Sequence, residues 1–244
     1  MFPQEKQLFF KTQGEEVYLP ASRVQELLEA QNDGVSPWRI FKIMAELVTG
    51  FEFLKQCGKA ATIFGSARCH EDDEMYKEAT KLAFLLSKEG FAVITGGGPG
   101  VMEAANKGAY DAGGRSLGIN IQLPHEQRIN KYVKESESFH YFFTRKIMLA
   151  FASQVYIYFP GGFGTLDEFF EIITLVQTKK VPPVPIVLVG KEYWAPIVRL
   201  IQDDLYERYH TINKEDMDLY HLADGAEEAF KFVQESLREE EKLT

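Results

Sequence analysis

The sequence predicts an α/β fold: a Rossmann-like, doubly wound parallel sheet with helices on both faces, preceded by an N-terminal helical extension. Short apolar runs rich in β-branched and aromatic residues alternate with amphipathic helical patterns, which is the order of elements that a parallel sheet requires. Two glycine-rich turns each follow such a run and open a helical pattern. The chain has 244 residues, 45% of them hydrophobic, enough for the core of one α/β domain. We expect the extension to span residues 1–57 and the Rossmann-like domain to span residues 58–244.

The extension carries two helical patterns. Residues 22–30 predict a short polar helix, and the turn-forming residues 32–34 end it. Ser36-Pro37 then offers an N-cap followed by proline at the first helical position. Apolar residues recur after it at helical spacing: Ile40, Met44, Leu47, Val48, Phe51 and Leu54. A long amphipathic helix is therefore expected, with its apolar face against the domain or against a second subunit.

The domain is predicted element by element from these apolar runs and periodicities. Six strands are expected at residues 59–64, 91–94, 116–123, 155–159, 184–189 and 219–222. Helices are expected at residues 75–89, 101–112, 143–153, 164–178 and 193–209, with a terminal helix opened by the capping-box pattern Asp224-Gly225-Ala226-Glu227. Between the third and fourth strands we expect a loop at residues 124–130 and two short extended pieces, around Tyr132-Val133 and Phe139-His140.

Charge and composition restrict the partners. The formal net charge of −9 argues against a broad nucleic-acid interface, so a phosphate ligand is expected to be a small molecule. No basic leader or membrane-length apolar run occurs in the sequence, which predicts a cytoplasmic protein without a membrane partner. Cys57 and Cys69 fit structural positions, and the five histidines form no metal-ligand pattern, so no metal is expected.

The two glycine-rich turns are the main candidates for ligand binding. They lie at residues 96–100 and 160–165, each between a strand and a helix. Glycines allow backbone N–H groups to approach a phosphate, and the helix that follows adds unpaired donors and the positive end of its dipole. A third turn at residues 65–68 brings a hydroxyl and a cation to the end of the first strand of the domain. Neither an NAD fingerprint nor a P-loop is complete, which argues against a dehydrogenase and against Mg-dependent phosphoryl transfer.

Each candidate also has a purely structural interpretation. A glycine-rich turn can be only a tight turn, and Glu103 suits the first turn of a helix by its charge alone. Thr165-Leu166-Asp167-Glu168 matches a capping box in which Glu168 would reach back to the helix backbone. Arg145 and Lys146 could be a solvated basic pair. From the residues alone these alternatives stay open.

Several motifs together resemble one family. Residues 160–168 match the PGGxGTxxE motif of the LOG family, the cytokinin riboside 5′-monophosphate phosphoribohydrolases often called "possible lysine decarboxylase". Further matches are residues 96–104, the Arg145-Lys146 pair and Gly65-Ser66. The resemblance covers roughly residues 60–237, and residues 118–127 and the long N-terminal segment are similar to the longer bacterial branch.

The resemblance implies hydrolysis of the N-glycosidic bond of AMP or N6-modified AMP to free base and ribose 5-phosphate, without a cofactor. It makes residues 58–244 a nucleotide-binding catalytic domain. Arg145 and Glu168 would be catalytic, and the remaining matched positions would bind substrate: Gly65, Ser66, Gly97, Gly98, Gly100, Glu103, Lys146, Gly161, Gly162, Gly164 and Thr165. Family members are at least dimers, so a homodimer or higher homo-oligomer is expected. The alternative is a non-catalytic protein that binds or senses a nucleotide. A pyridoxal phosphate decarboxylase is not favoured, because the glycine-rich turns place no obvious Schiff-base lysine.

Overall fold

The structure is a computed structural model that describes residues 9–12, 15–18, 37–122 and 129–243. The chain divides after Ala45 into two units. The first unit contains the antiparallel strands β1 (Phe9–Thr12) and β2 (Glu15–Tyr18), which the sequence did not predict. The helix predicted at residues 22–30 and the turn at residues 32–34 lie outside the described residues. The domain boundary expected after residue 57 stays a prediction.

The long amphipathic helix predicted from Pro37 is present as α1 (Pro37–Cys57), which begins in the first unit and ends in the second. Cys57, its last residue, and Cys69 are both free and buried. Within the described ranges, none of the helices combines the length and the hydropathy that a membrane crossing requires.

The second unit is built on a seven-stranded parallel sheet, which confirms the predicted fold class. Its strands are β3 (Ala60–Phe64), β4 (Ala92–Thr95), β5 (Ser116–Ile121), β6 (Glu135–Phe139), β7 (Val155–Tyr158), β8 (Ile186–Val189) and β9 (His221–Ala223). The order across the sheet is β6-β5-β4-β3-β7-β8-β9, with parallel pairing throughout. The four residues of β4, of β7 and of β8 are all buried, as expected of strands covered on both faces.

Helices cover both faces of the sheet. They are α2 (Glu74–Lys88), α3 (Val101–Asp111), α4 (Phe142–Ala150), α5 (Phe163–Gln177), α6 (Lys191–Arg199) and α7 (Ala226–Leu243). Side chains of α2, α3 and α7 form one apolar core with the sheet. Side chains of α4, α5, α6 and the end of α1 form the second core on the opposite face.

Two stretches differ from the sequence expectation. Tyr132-Val133 lies in a turn, because the side-chain oxygen of Asn130 accepts a hydrogen bond from Tyr132 N at 3.1 Å, and the extended segment is the single strand β6. The helix predicted at residues 193–209 ends as α6 at Arg199 and continues as a π-helix, Leu200–Arg208. A 3₁₀ helix, Lys214–Leu219, precedes β9 and was not predicted.

The capping box predicted at Asp224-Gly225-Ala226-Glu227 named the wrong glutamate as the residue that bonds back to Asp224. Glu228 Oε2 accepts the hydrogen bond from Asp224 N at 2.7 Å, while Glu227 pairs with Lys81 at 2.7 Å. The N–H of Ala226 donates to Glu78 Oε2 of α2 at 2.6 Å. A tertiary contact from another helix therefore replaces part of the local cap.

The strand order locates the ligand crevice. From β3 the chain adds β4, β5 and β6 on one side, then returns to place β7 on the other side of β3. Ligands of open α/β sheets bind at such a switch point, beyond the carboxyl ends of the two strands. The turns after β3 and β7 flank this point, and both were identified from the sequence as candidate ligand turns.

Helix α4, which carries Arg145, is held from α1 by Glu46. The Glu46 carboxylate accepts hydrogen bonds from His140 N at 2.8 Å, Tyr141 N at 3.3 Å and Thr144 Oγ1 at 2.6 Å. These groups lie at the start of α4, where backbone N–H groups lack intrahelical partners. A glutamate remote in sequence thus takes the place of the N3 carboxylate of a local capping box.

We predict that Glu46→Gln lowers the free energy of unfolding by about 1–2 kcal/mol, because an amide is a weaker acceptor for N–H donors than a carboxylate. Urea denaturation measures the change. Glu52→Gln is the control: it alters an exposed ion pair with Lys55 on the same helix and should change stability by no more than about 0.5 kcal/mol. Equal effects of the two substitutions would contradict the capping role of Glu46.

Candidate active site

One residue, Ser66, joins the three turns that surround the switch point. Its N–H donates to the carbonyl oxygen of Pro160 at 3.0 Å, and its own carbonyl oxygen accepts from Val101 N at 2.9 Å. Gly100 lies directly against this carbonyl with φ +72°, so a Cβ there would overlap the Ser66 and Ala67 backbone. The turns after β3, β4 and β7 are therefore fixed to one another through main-chain bonds.

The three turns and α4 enclose a cleft of about 790 Å³. It is lined by Phe64, Gly65, Ser66, Ala67, Arg68, Met75, Gly96, Met102, Phe142, Arg145, Pro160, Gly161, Gly162, Phe163, Gly164, Thr165 and Glu168. Eight of the positions expected from the sequence are brought together in this lining: Gly65, Ser66, Arg145, Gly161, Gly162, Gly164, Thr165 and Glu168. Five others are outside it: Gly97, Gly98, Gly100, Glu103 and Lys146.

The N-terminus of α5 forms one end of the cleft. The helix begins at Phe163 after the N-cap Gly162, with no acidic residue in its first turn. Thr165 folds back onto Gly161, where a Cβ would overlap its side chain. Tyr193 Oη also donates to the Gly161 carbonyl at 2.6 Å. The backbone N–H groups and the positive dipole end of α5 therefore face the cleft, and the first turn of the helix carries no carboxylate that would compete with an anion there.

Buried polar side chains hold the glycine-rich turn after β4. Gly97 has φ +72°, and its N–H donates to Thr95 Oγ1 at 2.9 Å. Asn130 Nδ2 donates to the Gly98 carbonyl at 3.0 Å and to Asn106 Oδ1 at 2.9 Å. A buried polar network thus fixes the conformation of residues that do not themselves line the cleft.

Arg145 enters the cleft from α4. Its Nε donates to the carbonyl oxygen of Ile119 in β5 at 2.9 Å. The rest of the guanidinium lies across Gly96, where a Cβ would overlap it. Burial lowers the pKa of Arg145 from its usual value, and the negative charge of Glu168 opposes this shift. The close packing against a glycine leaves the guanidinium little freedom to move.

Glu168 is the buried carboxylate of the cleft. It is 5% exposed, and its Oε2 has no hydrogen-bond partner among the described residues. Burial raises its pKa to about 7, while the nearby Lys146 acts to lower it and Glu171 to raise it. The capping-box interpretation of Glu168 is wrong, because α5 begins at Phe163 and has no side-chain cap. Glu168 thus lies in the second turn of the helix and lines the cleft.

Other lining residues were not identified as site residues from the sequence. Arg68 was noticed only as the cation of its turn, and Met75, Met102, Phe142 and Phe163 were not proposed. The four apolar residues all stand at or near the first turn of a helix that follows the sheet edge. That position was a usable signal, since such helix starts surround the crevice of a doubly wound sheet.

No group of three or more His, Cys, Asp or Glu side chains that could hold a metal ion occurs in the described part of the chain. The expectation that the site uses neither a metal nor a cofactor stays a prediction.

Comparison with known proteins assigns the family. The family model described as "possible lysine decarboxylase" matches residues 102–233, more than half of the chain. The chain belongs to this family, the LOG family. The cleft described above is thus the candidate active site of a LOG family protein.

Two relatives carry a named activity. A cytokinin riboside 5′-monophosphate phosphoribohydrolase of Rhodococcoides fascians is 24% identical over 158 residues, which are 63% of this chain and 79% of that protein. One from Arabidopsis thaliana is 30% identical over 127 residues, 51% of this chain and 54% of that protein. The alignment thus spans only about half the length of this plant relative.

A solved structure supports the fold. The molybdenum cofactor carrier protein of Chlamydomonas reinhardtii superimposes with a TM-score of 0.55 at 24% identity, over 74% of this chain and 98% of that chain. At this identity the similarity concerns the architecture alone.

The buried carboxylate of this LOG family protein should destabilise its fold. The pKa of Glu168 is about 7 in the folded protein, above its ordinary value of 4.5. Ionisation of Glu168 therefore lowers the free energy of unfolding fully above pH 7, and this loss disappears as the pH falls towards 4.5. We predict that Glu168→Gln raises the free energy of unfolding by roughly 1–3 kcal/mol at pH 8 and leaves it nearly unchanged near pH 4.5.

Urea denaturation of both proteins at the two pH values measures this difference. Glu227→Gln is the matched control, because Glu227 is exposed and the pairing with Lys81 lowers its pKa. That substitution should show no gain in stability at pH 8. A stability difference for Glu168→Gln that is the same at both pH values would contradict the predicted ionisation.

Proposed function

We propose that the protein is a nucleoside 5′-monophosphate phosphoribohydrolase that cleaves the N-glycosidic bond and releases free base and ribose 5-phosphate. The observation that carries the proposal is Glu168, a buried carboxylate with an unpartnered oxygen, in the same cleft as the N-terminus of α5. A nucleotide-binding protein without catalysis needs the helix terminus, but it has no use for a buried carboxylate whose ionisation reduces stability.

The 5′-phosphate is proposed to bind at the start of α5. The Gly161-Gly162 turn and Gly164 allow close approach to backbone N–H groups, and Thr165 adds a hydroxyl. Ser66 and Arg68 stand on the opposite turn, where Arg68 supplies a cation at the cleft surface. The helix terminus and the Arg68 cation in one lining support a subsite for a monophosphate.

The proposed reaction breaks the bond between the ribose C1′ and the base nitrogen. Positive charge develops on the ribose in the transition state, and the Glu168 carboxylate stabilises it. Glu168 accepts a proton from the water whose oxygen bonds to C1′, and the base leaves with the bonding electron pair. The proton then passes from Glu168 through solvent water to the base, which restores the carboxylate. A pKa of about 7 suits a group that accepts and returns a proton near neutral pH. Arg145, fixed across Gly96, contacts the substrate through its remaining N–H donors.

Purine bases fit the apolar part of the lining. Met75, Met102, Phe142 and Phe163 offer thioether and aromatic surfaces for a planar ring. The relatives named as cytokinin riboside 5′-monophosphate phosphoribohydrolases extend the proposal to N6-modified AMP, and thus to a role in cytokinin formation. AMP itself is the second proposed substrate.

The family description raises a second chemistry, lysine decarboxylation through pyridoxal phosphate. That reaction needs a lysine amine for the Schiff base. Among the described residues that line the cleft, none is a lysine. Lys146, the neighbour of Arg145, pairs instead with Asp167 and Glu171. The residues of the cleft therefore do not fit the cofactor, and no step is assigned to it.

We predict that the protein releases adenine from AMP and isopentenyladenine from isopentenyladenosine monophosphate, with much slower release from the nucleosides that lack the phosphate. Glu168→Gln should lower kcat by at least about 100-fold while nucleotide binding is retained, because the lost carboxylate acts in the transition state. Liquid chromatography of released base and calorimetric binding measure the two effects. Glu227→Gln, at an exposed glutamate that pairs with Lys81, is the comparison variant.

Two outcomes distinguish the rival interpretations. Nucleotide binding without base release from any monophosphate would overturn the proposed hydrolytic activity and favour a protein that only binds or senses a nucleotide. Equal cleavage of nucleosides and nucleotides would overturn the phosphate site at α5.

The proposed enzyme is a cytoplasmic homodimer. Its substrate class is found inside cells, and apolar side chains on the α1 and α4 side are exposed: Val48, Phe51, Phe143 and Phe151. Covering them in a second copy would remove apolar surface from water. Light scattering is predicted to give about twice the monomer mass of 27.9 kDa, and a mass of one chain would contradict the dimer.

A further inference from the structure

Three secondary-structure elements contribute the charged and titratable side chains around Glu168. Helix α4 contributes Arg145 and Lys146, helix α5 contributes Asp167 and Glu171, and strand β7 contributes Tyr156 and Tyr158. Two of these groups are cations and two are further carboxylates. Their arrangement decides whether the Glu168 carboxylate is charged when the cleft is empty.

Neither tyrosine stabilises the carboxylate by a hydrogen bond. Tyr158 Oη donates to the backbone carbonyl of Glu168 at 3.1 Å, and Tyr156 Oη donates to the carbonyl of Ala150 at 2.6 Å. Arg145 directs its Nε to Ile119 of β5. Of the two cations, Lys146 acts more strongly than Arg145 to lower the pKa of Glu168.

Lys146 is bound between two carboxylates of α5. Its Nζ lies 2.5 Å from Asp167 Oδ2 and 3.2 Å from Glu171 Oε2, and its side chain is 16% exposed. Asp167 precedes Glu168 by one residue, and Glu171 follows it by three, so the ammonium is held beside Glu168. Lys146 itself does not line the cleft. Its position suits an effect on Glu168 rather than contact with a ligand.

We propose that Lys146 is a positioning residue: its ammonium, held by Asp167 and Glu171, favours the ionised form of Glu168 and fixes α4 against α5. This inference rests on the proposed function, in which Glu168 acts as a carboxylate. It replaces the substrate contact that the family resemblance suggested for Lys146. Of these two neighbours in sequence, Arg145 then lines the cleft and Lys146 lies at the interface between α4 and α5.

The sign of the effect follows from the charges. Removing the ammonium leaves Glu168 buried beside Asp167 and Glu171, and both burial and neighbouring negative charge disfavour its ionisation. The pKa of Glu168, about 7 in the intact protein, should rise. Removing the two flanking carboxylates while keeping Lys146 should lower it instead.

The test compares Lys146→Met with Lys107→Met, which breaks the ion pair between Lys107 and Asp111 on α3. Carbon-13 NMR of labelled glutamate side chains, with the Glu168 signal assigned by its loss in Glu168→Gln, gives the titration midpoint of Glu168 in the free protein. Lys146→Met should raise that midpoint by at least about one pH unit, equivalent to a tenfold change in ionisation. Lys107→Met should leave it unchanged.

Kinetics give the second readout. The pH at which kcat/KM for base release falls on the acid side should move upward with the NMR midpoint in Lys146→Met. Activity near pH 6.5 should fall about tenfold, most of it should return by pH 9, and KM at pH 9 should match that of the unaltered protein. Lys146→Arg, which keeps the charge, should retain most of the activity.

Two results would overturn the proposal. An unchanged Glu168 midpoint in Lys146→Met would remove the electrostatic role, and a KM raised at every pH would assign Lys146 to the substrate. If Lys146→Met does not fold, the double variant Asp167→Asn, Glu171→Gln takes its place, and a midpoint that fails to fall would overturn the proposal. The NMR measurement does not depend on turnover. If the protein releases no base but Lys146→Met still raises the titration midpoint of Glu168, the proposed enzyme activity is refuted and the electrostatic role of Lys146 is supported.

Discussion

The two backbone hydrogen bonds of Ser66 are the constraint on which the rest of the site depends. The N–H and the C=O of Ser66 belong to successive peptide groups, so Ser66 can bond the turn after β7 and the start of α3 at once. The turn after β3 thereby becomes the centre of three turns. Gly100 has to be glycine for this joint to form, because its backbone lies against the Ser66 carbonyl with positive φ. The cleft is rigid because its walls share main-chain bonds, which are not altered by a change of side chain.

The second requirement is a stable position for α4, which contributes Arg145 to the cleft and Lys146 to the interface with α5. Successive residues on a helix point about 100° apart, so one helix can direct two cations to different targets. Glu46 holds the start of this helix, and Gly50 permits the close approach of α1, since a Cβ there would overlap Met148. The last part of α1 thus supports the helix that carries both cations.

Local sequence patterns predicted what local interactions decide. Alternating strands and helices followed from apolar runs and periodicity, and the glycine-rich turns marked the carboxyl edge of the sheet. The capping box at Thr165–Glu168 failed because spacing cannot show where a helix starts: Gly162 is already the N-cap, and Thr165 packs on Gly161. The cap that Glu46 provides for α4 joins residues 94 to 98 positions apart, and no local pattern contains it. The pairing of Lys146 with Asp167, 21 positions away, was invisible for the same reason.

Helix α5 links the two ends of the proposed reaction. Glu168 is the sixth residue after Gly162, which places it about 9 Å along the helix axis from the N-cap at 1.5 Å per residue. Side chains on a helix tilt toward its N-terminus, so the Glu168 carboxylate reaches back from that position toward the proposed phosphate site. A phosphate at the helix start and a carboxylate on the same helix keep a fixed separation, because both belong to one rigid element. In the proposed reaction the phosphate is the anchor that orients the sugar against Glu168, so that its binding energy would serve orientation at a bond several atoms away.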